Sequence, residues 1–236
     1  EGYFTTSILV ADSISQSVIN FEIKGFDGTR FAKAVLLPDC TILLTGGSKN
    51  FNRTNLAWRV DVLRECSLIT KKSMLTYRSG HGGTYGDGFV YIIGGDSDNY
   101  SRSASCERFD YAKEVWERLP AILNHFPDLS CTYLSRAVYV LGGPRDLWHI
   151  LVQKLNVDAS EWEVTPLTIA LQLCEIPCWA TESNRSHLLF CMHEQIFSYD
   201  AITHKAKKLM SYIGADYRTE LWRFKQALTN IQLGAC

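Results

Sequence analysis

The apolar residues of this chain are grouped in short runs, and several of these runs end in a pair of glycines. Three runs share this construction: TILLTGG at 41–47, VYIIGG at 90–95 and VYVLGG at 138–143. Short apolar runs that are rich in β-branched and aromatic residues, and are bounded by turn residues, predict strands covered on both faces. Gly46, Gly94 and Gly142 follow one another at intervals of 48 residues. Because a unit repeated at this length must stack on its neighbours to bury its faces, the pattern predicts an all-β repeat protein.

The other strand-like runs fall at matching places around the glycine pairs. Asp87-Gly88 predicts a tight hairpin into the second glycine-pair strand. Trp116 and Trp162 each stand in a W-E-x-x-P context, shortly after an aspartate that ends the preceding run. These aspartates form a series along the chain: Asp12, Asp61, Asp110, Asp158 and Asp200. We therefore predict four strands per unit, with the glycine-pair strand second and the tryptophan strand fourth.

The same phasing extends to the flanking segments. Residues 177–210 form a degenerate unit, in which HLLFCM at 187–192 has lost its glycines. Residues 8–24 match the third and fourth strands of a unit, and residues 216–235 match the first and second strands. We predict that these two segments complete one unit between them. A short amphipathic helix at 221–228 is the alternative interpretation of the C-terminal segment.

This arrangement resembles the Kelch repeat of β-propellers. The resemblance is carried by the three glycine pairs and covers nearly the whole chain; its other residues are Tyr91, Tyr139, Trp116, Trp162 and the Met74-x-x-x-Arg78-x-x-His81 series. It implies a single propeller domain over residues 1–236, made of four-stranded blades around a central channel. The sequence supplies the strands of five blades if the two terminal segments share a blade. A fragment of a six- or seven-bladed ring is the alternative.

Composition narrows the function classes. The 236 residues carry 24 basic and 25 acidic side chains, for a formal charge of −1, and 46% of them are hydrophobic. No charge run indicates nucleic acid, and no apolar run approaches the length of a membrane span. The eight cysteines lack the spacing of a disulfide framework. Three N-x-S/T acceptors, at Asn52, Asn99 and Asn184, point towards secretion. Cysteines without that spacing are expected to be free thiols, which are typical of a reducing compartment. This outweighs the three acceptors, so a cytoplasmic protein is expected.

Several polar groups are candidates for catalysis or metal binding. Arg78 and His81 suggest an acid–base or anion site, although a pair that ties adjacent blades is the favoured interpretation. A propeller glycosidase would need carboxylates at one level of the channel, and no shared level is evident; the candidates are Asp39, Asp87, Asp128, Glu182, Asp216 and Glu220. Cys174, Cys178 and Cys191 fit no common zinc spacing, although His187 and His193 lie nearby. We expect no catalytic residue, no cofactor and no metal.

The remaining hypothesis is a non-enzymatic protein–protein interaction module, which acts as a scaffold, an adaptor or an assembly subunit. The loops after the glycine pairs differ in length and content, and variable loops on a rigid repeat carry function. Their aromatic and basic side chains are the expected partner contacts, centred on the last four: Lys49, Phe51, Arg53, Tyr100, Arg102, Arg145 and Trp148. A propeller enzyme of glycosidase or oxidase type, and the substrate-recognition domain of a ubiquitin ligase, are the alternatives. The partner is another protein, without nucleic acid and without membrane insertion.

Overall fold

The computed structural model describes most of the chain between residues 7 and 211. The described ranges are 7–12, 17–61, 64, 67–97, 101–126, 129–142, 150–158, 160–167, 180–182, 186–192 and 195–211. All the regular structure in these ranges is β-strand. They contain no helix that is long and apolar enough to cross a membrane. The chain divides into two compact units, residues 1–128 and residues 129–236.

The first unit begins with a two-stranded antiparallel sheet. Strand β1 (Ser7–Asp12) pairs with β2 (Ser17–Glu22). A four-stranded antiparallel sheet follows, and a small two-stranded hairpin is inserted between its second and third strands. In chain order these strands are β3 (Lys33–Leu36), β4 (Thr41–Thr45), β5 (Ser48–Lys49), β6 (Asn52–Arg53), β7 (Ala57–Asp61) and β8 (Ser67–Lys71). The sheet order is β3-β4-β7-β8, and β5 pairs with β6.

The second four-stranded sheet of this unit has the predicted strand order. Its strands are β9 (Gly82–Gly86), β10 (Phe89–Ile93), β11 (Cys106–Asp110) and β12 (Val115–Leu119). Asp87 and Gly88 join the first two strands with positive φ angles of 46° and 85°. Two successive residues with positive φ are the geometry of a type I′ turn, so the hairpin expected from this dipeptide is confirmed.

The hydrophobic core of the first unit lies between its two four-stranded sheets. Val35 and Leu43 of the first sheet belong to one buried cluster with Val90 and Ile92 of the second. The first strands of the two sheets, β3 and β9, lie next to each other. Trp116 joins the same cluster, and its ring lies 4.9 Å from the ring of Phe109. The fourth-strand tryptophan is therefore a core residue.

The second unit contains two more sheets of the same design. The first comprises β13 (Ser130–Leu134), β14 (Ala137–Gly142), β15 (Ile150–Asn156) and β16 (Glu161–Leu167). The second comprises β17 (Ala180–Glu182), β18 (His187–Met192), β19 (Gln195–Asp200) and β20 (Lys205–Ser211). Both are antiparallel in sequence order. The degenerate unit predicted at 177–210 is therefore a true four-stranded sheet, in which stacked Phe190 and Phe197 rings occupy the core.

The aspartate series has a structural cause. Asp110 ends β11, and its Oδ1 accepts hydrogen bonds from the backbone N–H groups of Ala112 (3.0 Å) and Lys113 (2.9 Å). Asp200 ends β19 and accepts similarly from Ile202 (2.9 Å). A short carboxylate that satisfies the following backbone makes the turn between the third and fourth strands. Asp158 departs from the prediction, because it lies two residues beyond the end of β15.

These sheets confirm the all-β fold and the predicted four strands per unit. Residues 8–24 and 216–235 are predicted to share one blade, and the structure describes only the first of these two segments. The first segment contains the β1–β2 pair, whereas residues 216–235 lie outside the described ranges. The number of blades and the closure of a ring therefore stay predictions.

Candidate functional site

Four connections of the first unit meet at the end of the sheets where β4 and β10 finish in glycine pairs. We define the glycine rim as residues 27–31, 46–56, 75–80 and the described part of 94–105. Two of these segments lead into first strands, and the other two join second strands to third strands. All four are tied together by their backbones.

Hydrogen bonds between backbone groups run from one segment to the next. Arg30 and Ser48 exchange two bonds, of 2.9 and 2.7 Å. The N–H of Arg78 donates to the Thr54 carbonyl at 3.2 Å, and Ser79 exchanges bonds of 3.1 and 2.8 Å with Asp96. Because each loop is paired with its neighbour, the rim is a pre-ordered surface whose loops lose little entropy when something binds.

The glycine pairs make this close approach possible. Gly46 and Gly95 have positive φ angles of 59° and 95°. A Cβ on Gly46 would lie 2.5 Å from the carbonyl oxygen of Arg78, and one on Gly95 would lie 2.6 Å from that of Ser79. Glycine is therefore required at both positions for two reasons: it adopts a positive φ without strain, and it has no Cβ to clash with the neighbouring carbonyl.

Arg78 and His81 lie beneath the rim, out of reach of a ligand. The Arg78 side chain is completely buried and donates from Nη2 to Oε1 of Glu107 at 2.7 Å. Its other bonds go to the carbonyl of Gly94 at 2.6 Å and to Ser105. His81 is also buried, with Nε2 located 2.9 Å from the hydroxyl of Thr45. The pair ties the two blades together, as the favoured interpretation held, and is not an accessible acid–base site.

The accessible part of the rim is aromatic. Phe51 is 79% exposed at the tip of the β5–β6 hairpin, and Phe31 is 66% exposed in the preceding connection. Tyr77 is half exposed in the third segment. Phe31 and Phe51 both have positive φ, of 59° and 67°. A bulky residue in this conformation is an outlier, and such strain is concentrated at functional sites.

The structure describes four of the seven side chains expected to contact a partner. Lys49 and Phe51 are exposed on the hairpin, whereas Arg53 is half buried and donates from Nη1 to the Phe51 carbonyl at 3.2 Å. Arg102 is exposed in the last rim segment. Tyr100, Arg145 and Trp148 lie outside the described residues. Sequence reasoning missed Phe31 and Tyr77, because they precede first strands rather than follow glycine pairs.

Lys49 makes an ion pair within the rim. Its Nζ lies 2.7 Å from Oδ2 of Asp27, in the first rim segment. The hydrogen bond and the charge of Lys49 lower the pKa of Asp27. Both groups are solvent-exposed, so the pair contributes little to stability and can be exchanged for another partner.

The opposite end of the sheets contains the turns with Asp39 and Asp87. Asp39 accepts hydrogen bonds from Thr41, from Arg59 and from the hydroxyl of Tyr111, which lies in the turn after β11 of the neighbouring sheet. Burial alone would raise the pKa of Asp39, but the bonds from Thr41 and Tyr111 and the charge of Arg59 lower it to about 2. This carboxylate is therefore ionised and engaged in holding two blades together, not available as a glycosidase acid.

The candidate metal ligands are partly outside the described residues. Cys174, Cys178 and His193 belong to the parts of the chain that are not described. Within the described ranges, no group of three His, Cys, Asp or Glu side chains is placed to hold a metal ion. Cys106 is buried, and burial raises the pKa of its thiol to about 11, which keeps it protonated.

Part of the chain matches a known protein family. Residues 77–121 match the family model of the Kelch motif. This segment begins at Tyr77, within the third rim segment, and runs through all four strands β9–β12, so the matched unit contains one complete sheet. A search among curated proteins gave no match to the chain.

Proposed function

We propose that this chain, in which residues 77–121 match the Kelch motif, is a non-enzymatic interaction module that binds a protein partner through its glycine rim. The partner-binding residues proposed are those on the loops after the glycine pairs together with two aromatic residues from the preceding connections: Lys49, Phe51, Arg53, Tyr100, Arg102, Arg145, Trp148, Phe31 and Tyr77. A single domain over residues 1–236 and a cytoplasmic location belong to the same proposal.

The position of Phe51 is the observation that carries the proposal. Asn50 and Phe51 connect β5 to β6 with φ angles of 50° and 67°, the two positive values of a type I′ turn. Asn followed by Gly is the preferred sequence for this turn. The chain instead has a large apolar side chain at the second position and exposes 79% of it. Stability does not favour that choice, so we attribute it to binding.

The composition of the rim supports the same conclusion. Aromatic and arginine side chains dominate the binding energy of protein interfaces. The first rim segment presents Arg30 and Phe31, and the second presents Phe51 and Arg53. The backbone bonds between segments hold these groups in place before a partner arrives. A pre-ordered surface of anchor residues is what a specific protein–protein contact requires.

The test uses the whole chain as bait and compares its variants by quantitative mass spectrometry of bound proteins. Truncating an interface anchor costs about 2 kcal/mol or more, or roughly thirtyfold in affinity. Phe51→Ala should therefore remove the specific partners. Ile202→Ala, which truncates an exposed apolar side chain in the turn between β19 and β20, is the matched control and should retain them. Equal retention by both variants would place recognition elsewhere.

A second variant tests the residues outside the described ranges. Trp148→Ala combined with Arg145→Ala should abolish capture of the same partners while leaving the melting temperature nearly unchanged. If capture survives and the melting temperature falls, Trp148 is a core residue, and the binding surface is limited to the glycine rim of the first unit.

A further inference from the structure

Three serines of the chain have a basic residue three positions before them. The pairs are Arg64 and Ser67, Arg102 and Ser105, and Lys208 and Ser211. Protein kinases select their substrates by the charges around the acceptor hydroxyl, and serine kinases with an acidic cleft bind a cation at this spacing. The three serines differ in exposure, in backbone conformation and in the partners of their basic residues, so the structure ranks them as acceptors.

Ser105 is held at the base of the glycine rim. Its side chain is half-buried, and its Oγ accepts a hydrogen bond from Nη2 of the buried Arg78 at 2.9 Å. The hydroxyl of Ser103 lies 2.8 Å from the same oxygen. A kinase that reached this hydroxyl would first have to break the junction between the two blades, so Ser105 is a poor acceptor.

Ser67 is exposed but follows a tight turn. Its backbone N–H donates to the carbonyl of Arg64 at 3.1 Å, so the chain folds back between the two residues. The guanidinium of Arg64 lies 3.8 Å from the carboxylate of Asp61. A kinase that reads a charge at this spacing binds its substrate in extended form, in which three residues span about 10 Å. Neither the backbone nor the arginine of this segment meets that requirement.

Ser211 differs from the other two serines in each of these features. It is exposed and is the last residue of β20, where the backbone is already extended. Within the described sheet, β20 is the outermost strand and has a neighbour along one edge only. Its pairing with β19 is interrupted by a bulge between Ile196 and Phe197. A bulge disrupts the hydrogen-bond ladder locally, so the end of β20 is the part of this strand that is most easily released.

The two lysines that precede Ser211 at positions −3 and −4 are available to a kinase. Lys207 and Lys208 are both exposed, and neither side chain has an ion pair or a hydrogen bond within the part of the chain that the structure describes. By contrast, Lys71 at the end of the outer strand β8 is paired with Glu114. Carboxylates of a kinase cleft form charge-assisted hydrogen bonds with unpaired lysines of this kind.

We propose that Ser211 is a phosphorylation site for a serine kinase that recognises basic residues three and four positions before the acceptor. The kinase transfers the γ-phosphoryl group of ATP to Oγ of Ser211. The new bond joins this oxygen to the γ-phosphorus, the bond from that phosphorus to the oxygen of ADP breaks, and the hydroxyl proton passes to the catalytic aspartate of the kinase. The phosphate neutralises most of the positive charge of β20, which contains three lysines and no acidic residue.

The experiment incubates the full chain with ATP, Mg²⁺ and the purified catalytic domain of a kinase with this specificity, and maps the phosphate by mass spectrometry. Synthetic peptides around Ser105 and Ser211, which have the same charges without the fold, give the reference rates. Ser211 should be modified in the chain within about threefold of its rate in the peptide. Ser105 should be modified at least about tenfold more slowly in the chain than in its peptide, because its hydroxyl is tied to Arg78.

Single lysine variants test the recognition. Lys208→Gln should lower kcat/KM for Ser211 by about tenfold or more, because the kinase loses a charge-assisted contact. Lys205→Gln is the matched control, since it removes the same charge from the same strand but lies six positions before the acceptor. Its rate should equal that of the natural chain. If Lys205→Gln lowers the rate as much as Lys208→Gln does, the kinase responds to net charge, and the proposed recognition is refuted.

Two further outcomes would overturn the proposal. One is phosphorylation of the Ser211 peptide without phosphorylation of Ser211 in the folded chain; the lysines of β20 would then be explained as protection of an edge strand against pairing with other chains. The other is faster modification of Ser67 or Ser105 than of Ser211 in the chain. Phe51→Ala should be phosphorylated at the natural rate, so failure of this inference leaves binding at the glycine rim unaffected.

Discussion

The guanidinium of Arg78 lies 2.7 Å from the carboxylate of Glu107, and the exposures of the two side chains are 0% and 1%. Arg78 belongs to the connection between the two sheets of the first unit, and Glu107 lies in β11 of the second sheet. The other carboxylate oxygen of Glu107 accepts the backbone N–H of Leu75 at 2.7 Å. Burial lowers the pKa of Arg78, and the charge of Glu107 opposes that shift. This buried pair is therefore a junction between blades.

Removing one partner of this pair should be strongly destabilising. In Arg78→Met the Glu107 carboxylate stays buried without its countercharge, which typically costs about 3–5 kcal/mol. The expected result is a large fall in the urea midpoint of the whole chain. Arg136→Met is the matched control, because Arg136 pairs with Asp158 on the surface at 2.8 Å and both groups are exposed. Its midpoint should hardly change, and equal midpoints for the two variants would show that the buried pair is not a structural junction.

His81 should make the stability depend on pH. Burial, and then the charges of Arg78 and Lys33, lower the pKa of His81 well below its usual value, so the folded chain holds it neutral. The unfolded chain takes up this proton below about pH 6.5, so stability should fall as the pH drops below that value, by up to about 1.4 kcal/mol per pH unit. Unfolding free energies at pH 7.5 and 5.5 measure the slope.

Two variants assign that slope to His81. His81→Asn should have a lower stability at pH 7.5 and a smaller loss between the two pH values, since it has no proton to gain. His125→Gln removes an exposed histidine and should keep the natural slope. Asp39, with its pKa of about 2, affects stability only at lower pH, because its contribution is lost as the pH falls below about 4. An unchanged slope in His81→Asn would contradict the prediction.

The glycine pairs should tolerate no side chain. Gly46→Ala combines a positive φ of 59° with a Cβ placed 2.5 Å from the Arg78 carbonyl oxygen and 2.8 Å from the His81 ring. A cost of about 2–4 kcal/mol is expected from strain and overpacking together. At Gly88, with φ of 85°, a Cβ meets nothing within 4 Å. Gly88→Ala should cost only the conformational part, about 1–2 kcal/mol. Chemical denaturation that ranks the two variants equally would show that close approach is unimportant at Gly46.

The sequence predicts the sheets well because successive sheets need the same residue types at the same positions. Gly46 and Gly94 reappear at a fixed interval because both have a positive φ, of 59° and 61°, where a second strand ends. Asp110 and Asp200 recur because the turns after their third strands have the same hydrogen bonds. The partner of Arg78 has no such signal, since Glu107 lies 29 residues away and no repeat position marks it. Phe31 and Tyr77 were missed for a related reason. Surface contacts differ from blade to blade, so no period reveals them.

The last prediction separates stability from binding at Phe51. Phe51→Gly places a glycine directly after Asn50, which is the preferred sequence for the type I′ turn that the chain adopts there. Relief of the left-handed strain is about 1–2 kcal/mol, partly offset by the greater freedom of glycine in the unfolded chain. The urea midpoint should therefore stay level or rise, while affinity for the partner falls roughly thirtyfold.

The control for this prediction is an equivalent turn away from the rim. Ser135 and Arg136 join β13 to β14 with φ angles of 49° and 61°, so Arg136→Gly relieves the same kind of strain in a second type I′ turn. Its stability should respond as that of Phe51→Gly does, whereas its binding should be unaffected. If Phe51→Gly instead lowers stability and preserves binding, Phe51 serves the fold, and the strain at the hairpin tip is no longer an argument for recognition. Opposite responses of stability and affinity at one residue would show that the chain retains a conformationally unfavourable side chain because a partner requires it.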